Sequence, residues 1–290
     1  MIPPPFEYSA PTSLSAVWDA LAAHPDETKI LADGQSLIPM MKLRLAAPAY
    51  LVDLGRITGL DELEERGDWL VIGAMVREHA LEHSPLIQRR YAGLSDASAV
   101  IADPLVRNFA TVGGNLAHAD PANDHPAMML ALRATVMARS PHGTREIPID
   151  DFLVDTFETA LQPNEILTEI HVPQPTPHTG SAYAKFERKV GDYAIAAAGV
   201  SVTLDGGMVS EVGIGLTNVG SKAVRATAAE RYLTGQSPSE SAIREAARLA
   251  AQTAEPTADL RGPAEYKRAM VQTLTSRALR SAVKRAQAGA

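Results

Sequence analysis

Cysteine is absent from all 290 residues. Without thiolates the chain has no disulfide, no cysteine-based zinc site, no cysteine nucleophile and no iron–sulfur cluster of its own. Basic charge is short as well. The 27 Lys and Arg are outnumbered by 34 Asp and Glu, a net −7, so nothing electrostatic favours nucleic acid. No apolar run is long enough to span a bilayer. The opening Met1-Ile2-Pro3-Pro4-Pro5-Phe6-Glu7 has neither the basic region nor the apolar core of a secretory signal, and a cytoplasmic location is expected. Two nucleotide signatures are also missing: the glycines followed by Lys-Ser/Thr of a P-loop, and the spaced glycines of a nicotinamide-binding βαβ turn at the chain start. If this chain handles electrons, it must use an organic cofactor and pass them to something else.

What is present is an ordinary globular composition, 46% hydrophobic and 21% charged, with length for one large domain or two to three smaller ones. Two glycine loops stand out: Ala32-Asp33-Gly34-Gln35-Ser36 and Thr111-Val112-Gly113-Gly114-Asn115. Each follows a short apolar run. Glycine permits positive φ and close backbone approach, and consecutive amides released by such turns form a nest for anionic oxygens. A single Gly-Gly pair is weak evidence, since most are turns. Two nests in one chain could hold the pyrophosphate of a dinucleotide.

The remaining pattern divides the chain at Pro173-Gln174-Pro175-Thr176-Pro177, an extended proline-spaced linker. Before it, Thr12-Ser13 caps a helix carrying Leu14, Val17 and Leu21. Strands are expected at 29–32, 50–54, 69–74, 135–138, 145–149 and 166–172. A short helix is expected at 77–83, a longer one from Pro85 to Ile101, and a buried one at 127–132. After the linker, strands at 194–204 and 208–217 flank the hairpin signal Asp205-Gly206-Gly207. Alanine-rich helices follow at 239–253 and 263–288.

Two long motifs carry a family likeness. Ala32-Asp33-Gly34-Gln35-Ser36-Leu37-Ile38-Pro39-Met40-Met41-Lys42-Leu43-Arg44-Leu45 and Val106-Arg107-Asn108-Phe109-Ala110-Thr111-Val112-Gly113-Gly114-Asn115 resemble the first and second flavin loops of the FAD-binding medium subunit of molybdenum hydroxylases. That group contains aerobic carbon monoxide dehydrogenase and xanthine dehydrogenase. The resemblance covers nearly the whole chain. It implies an α+β protein: a two-subdomain FAD-binding fold of the vanillyl-alcohol-oxidase type, residues 1–55 and 56–174, then a C-terminal domain, 178–290, of a three-stranded sheet plus helices. It implies FAD in this chain. It further implies an iron–sulfur small subunit with [2Fe-2S] clusters and a large subunit with the molybdenum cofactor, assembled as a dimer of heterotrimers. The function implied is electron transfer from partner clusters through FAD to an external acceptor. A self-sufficient FAD oxidoreductase on the same fold is the alternative, and a non-redox assembly protein is a third reading.

By the same resemblance, Leu31, Ala32, Asp33, Gly34, Gln35, Ser36 and Leu37, with Thr111, Gly113, Gly114 and Asn115, form the two flavin loops. Asp124 matches a carboxylate that contacts FAD; capping the helix through Ala127 is the equal alternative. Ile101 and Leu167 pack on the cofactor or are plain core. Lys185 and Tyr193 reach the isoalloxazine from the C-terminal domain, Tyr193 as a face cover or as an ordinary half-buried aromatic. Asp33 stands where the family has glycine. Aspartate tolerates positive φ, and its carboxylate is expected to point to solvent and to weaken FAD retention modestly. His79 and His83 have a zinc-capable spacing, but position 80 is alanine, so the zincin glutamate is missing. His118 and His125 flank the second loop. No Ser–His–Asp arrangement or catalytic acid pair is evident, so no catalytic residue and no metal ligand are assigned.

Overall fold

The computed structural model describes residues 2–289. Its first unit is a small parallel sheet. Strand β1 (Glu7–Ser9) leads to helix α1 (Leu14–Ala23), whose N-terminus is capped by the Ser13 hydroxyl accepting from the Ala16 amide. Strand β2 (Thr28–Leu31), helix α2 (Leu37–Lys42) and strand β3 (Tyr50–Asp53) complete it, in the order β1-β3-β2. Val17 of α1 and Val52 of β3 are among the residues at its core.

The second unit is built on an antiparallel sheet. It begins with strands β4 (Leu63–Arg66) and β5 (Trp69–Gly73) and continues through helices α3 (Glu78–His83), α4 (Pro85–Arg90) and α5 (Ala92–Ala99). The single long helix expected from Pro85 to Ile101 is therefore two. Tyr91 interrupts it at φ −130°. Its ring is buried and its hydroxyl donates to Glu65 at 2.9 Å, so a tertiary anchor overrides local helix propensity. Short helices α6 (Pro104–Arg107) and α7 (Val112–His118) precede α8 (His125–Ala131), all seven residues of which are buried. Strands β6 (Thr135–Ser140) and β7 (Gly143–Pro148), helix α9 (Ile149–Phe152) and the two-strand ribbon β8 (Leu153–Asp155) and β9 (Glu158–Thr159) follow. Strand β10 (Ile166–Pro173) returns through the middle of the sheet, giving the order β4-β5-β10-β6-β7.

The third unit opens with β11 (Thr179–Glu187), a strand absent from the sequence expectation. It pairs with β12 (Ala194–Asp205), which pairs with β13 (Met208–Thr217), which pairs with the two-residue β14 (Val224–Arg225). The C-terminal sheet thus has four strands where three were expected. Helices α10 (Thr227–Leu233), α11 (Glu240–Thr253) and α12 (Ala264–Gln287) complete it. Phe186 from β11 meets Tyr266 from α12, their centroids 6.4 Å apart.

The second and third units lock together through α8. A Cβ on Gly213 or Gly215 of β13 would sit 2.0 Å from the carbonyl oxygen of Ala131 or Ala127. Only glycine lets the helix backbone lie that close to the sheet. Among the described residues, no helix is long and apolar enough to cross a membrane.

Candidate functional site

All three units meet around a cavity of about 640 Å³. The first contributes Ala32, Gly34, Gln35, Ser36 and Leu37. The second contributes Ile101, Thr111, Gly113, Gly114, Asn115, Asp124 and Leu167, and the third contributes Lys185 and Tyr193. Two of the residues assigned to the flavin loops are not on this wall. Leu31 is buried behind the first loop, where a Cβ on Gly34 would approach its Cδ1 to 2.9 Å. Asp33 turns away from the cavity.

The first glycine loop has the geometry of an anion nest. Asp33 and Gly34 take consecutive left-handed conformations, φ +59° and +76°. The chain then enters α2, with Ile38 donating to the Gly34 carbonyl at 3.0 Å. Among the described residues, no protein acceptor meets the amides of Asp33, Gly34, Gln35, Ser36 or Leu37. Four of these five residues, Gly34 to Leu37, line the cavity, and a run of unpaired donors there is costly unless water or a ligand satisfies them.

The second glycine pair behaves differently and corrects the sequence expectation. Gly113 and Gly114 lie in the first turn of α7, behind the N-cap Thr111. Val112, Gly113 and Asn115 donate to the carbonyls of Val76, Ala74 and Thr111, and Gly114 donates to the Thr111 hydroxyl at 3.2 Å. Its amides are therefore committed, and its glycines serve close packing: a Cβ on Gly113 would meet Ala74 at 2.6 Å. What this segment offers the cavity is side chains. Among the described residues the buried Asn115 Oδ1 has no protein partner, and the Asn115 carbonyl is held by Asn123 Nδ2 at 2.8 Å.

Asp33 does not point to solvent. Its carboxylate lies 3.4 Å from the Arg77 guanidinium and its side chain is 20% exposed. Arg77 is itself fixed by the Asn108 carbonyl at 2.6 Å and by the Phe109 ring beneath it at 5.6 Å. Burial raises the Asp33 pKa above the ordinary carboxylate value, while Arg77 pulls it back down.

Asp124, also on the cavity wall, occupies the N-cap of α8 but makes no side-chain cap bond. Its oxygens accept from Tyr183 Oη at 2.7 Å and Lys185 Nζ at 2.9 Å. The capping alternative is thereby set aside. Lys185 also reaches Glu187 at 3.2 Å and the Val100 carbonyl at 2.9 Å. Burial pushes the Asp124 carboxyl upward, against the pull of Lys185 and Tyr183, and pushes the Tyr183 hydroxyl well above its usual value. Tyr193 is half exposed, with Arg261 over its ring at 5.9 Å and bonded to Asp192 at 3.1 Å. Burial raises its pKa.

The sequence reading missed Arg77, Tyr183, Asn123 and Arg261. Tyr183 had a readable signal, because β11 alternates Ser181, Tyr183, Lys185 and Glu187 with Ala182, Ala184 and Phe186. The histidines separate by environment. His118 lines the cavity beside Phe157, ring centroids 5.0 Å apart, with burial lowering its pKa. His125 is buried against Glu78 at 2.6 Å.

A cavity of this size, lined by the free amides of Gly34 to Leu37, by Tyr193 and by the buried Asp124–Lys185 pair, fits a dinucleotide carrying a flat ring system. Comparison with known proteins agrees. Residues 4–175 match the FAD binding domain in molybdopterin dehydrogenase, and residues 181–282 match the CO dehydrogenase flavoprotein C-terminal domain. The chain is 44% identical to the carbon monoxide dehydrogenase medium chain of Hydrogenophaga pseudoflava, over 97% of its own length and 98% of that protein's. It is 35% identical to the nicotine 6-hydroxylase medium subunit of Paenarthrobacter nicotinovorans, over 95% and 96%. Its fold matches a chain of the Hydrogenophaga pseudoflava carbon monoxide dehydrogenase structure that lacks the Mo-pyranopterin moiety of the molybdenum cofactor. The TM-score there is 0.96 and the identity 46%, over 98% of this chain and 99% of that one. The chain belongs to the FAD-binding medium subunits of molybdenum hydroxylases, a class of oxidoreductase subunits.

Proposed function

We propose that this chain is the electron-transfer subunit of a heterotrimeric molybdenum-dependent hydroxylase or dehydrogenase. It takes electrons from [2Fe-2S] clusters in a small partner subunit and passes them to an external acceptor. A large partner subunit carries the molybdenum cofactor and oxidises the organic or gaseous substrate, and two such trimers form the complex. The observation that carries this reading is the pairing of a dinucleotide cavity with a chain holding no cysteine. A cysteine-free chain cannot hold the clusters that would feed the flavin.

FAD supplies reversible electron acceptance, in single steps or in pairs, and the protein's part is to hold and tune it. The free amides of Asp33 to Leu37 bind the pyrophosphate, and the Thr111 hydroxyl and Asn115 side chain complete the grip. Ile101 and Leu167 supply apolar wall. Tyr193 would cover the ring system of a bound FAD, and the Asp124–Lys185 pair would set the polarity of the wall that it lines. Residues 1–55, 56–174 and 178–290 act as the three units of this grip.

The test is anaerobic mixing of the FAD-loaded chain with a pre-reduced, cysteine-bearing partner. The flavin absorption should bleach on mixing, and substrates of the whole complex should leave the isolated chain unchanged. Bleaching of the isolated chain by an organic substrate would instead establish a self-sufficient FAD oxidoreductase.

A further inference from the structure

Helix α3 carries two histidines that take no part in the cavity. His79 and His83 stand one turn apart, both exposed, with ring centroids 4.2 Å apart. Glu82 lies beside them. One ligand atom from each of the three falls within 4.8 Å of the others.

The donor set is oriented as well as gathered. His83 Nδ1 lies 3.0 Å from the His79 carbonyl oxygen. A carbonyl only accepts, so Nδ1 carries the proton and Nε2 is left with its lone pair. Backbone anchoring of this kind fixes the tautomer of metal-binding imidazoles. Glu82 is held in the same manner: its Oε2 accepts from Arg107 Nε at 2.8 Å. Its other oxygen has no protein donor among the described residues.

We propose that His79, Glu82 and His83 form a surface site for a divalent transition-metal cation of the Zn²⁺, Ni²⁺ or Cu²⁺ class. Two imidazoles and one carboxylate suit these borderline ions and discriminate against Mg²⁺ and Ca²⁺, which prefer oxygen ligands throughout. Closing the ligand separations requires rotation of the two imidazoles, which their exposure permits, toward a Glu82 carboxylate held by Arg107. The site is proposed for binding alone, with Glu82 counted as a ligand. Arg107 ties it to the cavity, donating from Nη1 to the carbonyls of Ile101 and Ala102 at 3.1 and 3.2 Å. A cation on Glu82 therefore sits one arginine away from the cavity wall.

The experiment is calorimetric titration of the metal-free full-length chain with Zn²⁺, beside His79→Ala, His83→Ala, the double variant and Glu82→Gln. The expected result is one-to-one binding that weakens about ten- to a hundredfold in each single variant and disappears in the double one. Thermal unfolding confirms that the variants remain folded. Cu²⁺ loading should give an electron paramagnetic spectrum with splitting from two nitrogens, lost in the double variant. Zn²⁺ binding that survives intact in the double variant, or Mg²⁺ binding of equal strength, overturns the proposal. Undiminished binding in Glu82→Gln removes the carboxylate and overturns the three-ligand site.

Discussion

Lys185 Nζ lies 2.9 Å from Asp124 Oδ2, and the two side chains are only 3% and 7% exposed. They come from different units, β11 and the start of α8, and meet on the cavity wall. A pair so deeply buried joins the two units mechanically and fixes the charge of the wall. Breaking it leaves one uncompensated charge in a low-dielectric site.

Lys185→Met is therefore expected to cost about 3–5 kcal/mol of stability at neutral pH. The pH dependence has a definite sign. The Asp124 pKa is raised by burial and lowered by Lys185, so loss of the lysine raises it further. An acid with a raised folded pKa binds its proton more tightly when folded, and its contribution to stability falls as pH rises through that pKa. The penalty of Lys185→Met should shrink in acid and be greatest at neutral pH. Thermal midpoints across pH for wild type, Lys185→Met and Lys185→Met/Asp124→Asn test this; a pH-independent penalty would refute it.

Asp33 leads to a second expectation, in FAD affinity. Its carboxylate belongs to the loop that carries the free amides, and it is turned toward Arg77 and only partly neutralised by it. Burial raises its pKa, so lowering the pH through that raised value discharges the group. The repulsion of a pyrophosphate then vanishes, and FAD should bind more tightly as pH falls. By the same linkage, Asp33 contributes less to folding as pH rises through its folded pKa. Asp33→Gly should bind FAD several-fold more tightly at neutral pH and lose this dependence. Asp33→Ala should be less stable than Asp33→Gly by about 1–2 kcal/mol, the cost of a β-carbon at φ +59°. Fluorescence titration with FAD, and chemical denaturation of the apo forms, give both quantities.

The two loops show how far a sequence can be read here. The Ser13 cap and the Asp205-Gly206-Gly207 hairpin follow from local chemistry, and both are in place. A Gly-Gly pair is ambiguous, because a nest and a tight helix start both demand small residues. Gly34 is needed for its dihedral and Gly113 for its proximity to Ala74; only the fold separates the two. The pairing of Asp33 with Arg77 and the break at Tyr91 are tertiary, invisible to periodicity. Strand β11 is a different case. Its polar face was legible, but the small residues Gly180, Ala182 and Ala184 dilute the apolar half of the alternation.

The glycines of β13 yield a prediction about how the units hold together. Gly215→Ala places a methyl 2.0 Å from the Ala127 carbonyl, and backbone cannot swing aside as a side chain can. Helix α8 must shift, at a cost of about 1–3 kcal/mol. Because Asp124 begins that helix, the shift should also loosen its contact with Lys185. A lowered thermal midpoint accompanied by weaker FAD binding is expected. Reduced stability with unaltered FAD affinity would show that α8 moves without disturbing the wall.

Glu78 and His125 pose the same problem without a cavity. Both side chains are fully buried, Nε2 lies 2.6 Å from Oε2, and Ser98 donates to the same oxygen at 3.3 Å. Among the described residues His125 Nδ1 and Glu78 Oε1 have no protein partner, so the pair is only half satisfied, and such networks are costly when disturbed. Glu78→Gln keeps a carbonyl oxygen for the imidazole N–H and should cost about 1–2 kcal/mol. Glu78→Ala removes the acceptor and leaves a hole in the wall between α3 and α8, so it should cost about 3–5 kcal/mol. Since His125 directly follows Asp124 in the chain, hydrogen exchange should report faster opening of α8 in the alanine variant than in the glutamine variant. Equal losses in the two variants would mean that packing volume, and not the hydrogen bond, is what this pair contributes.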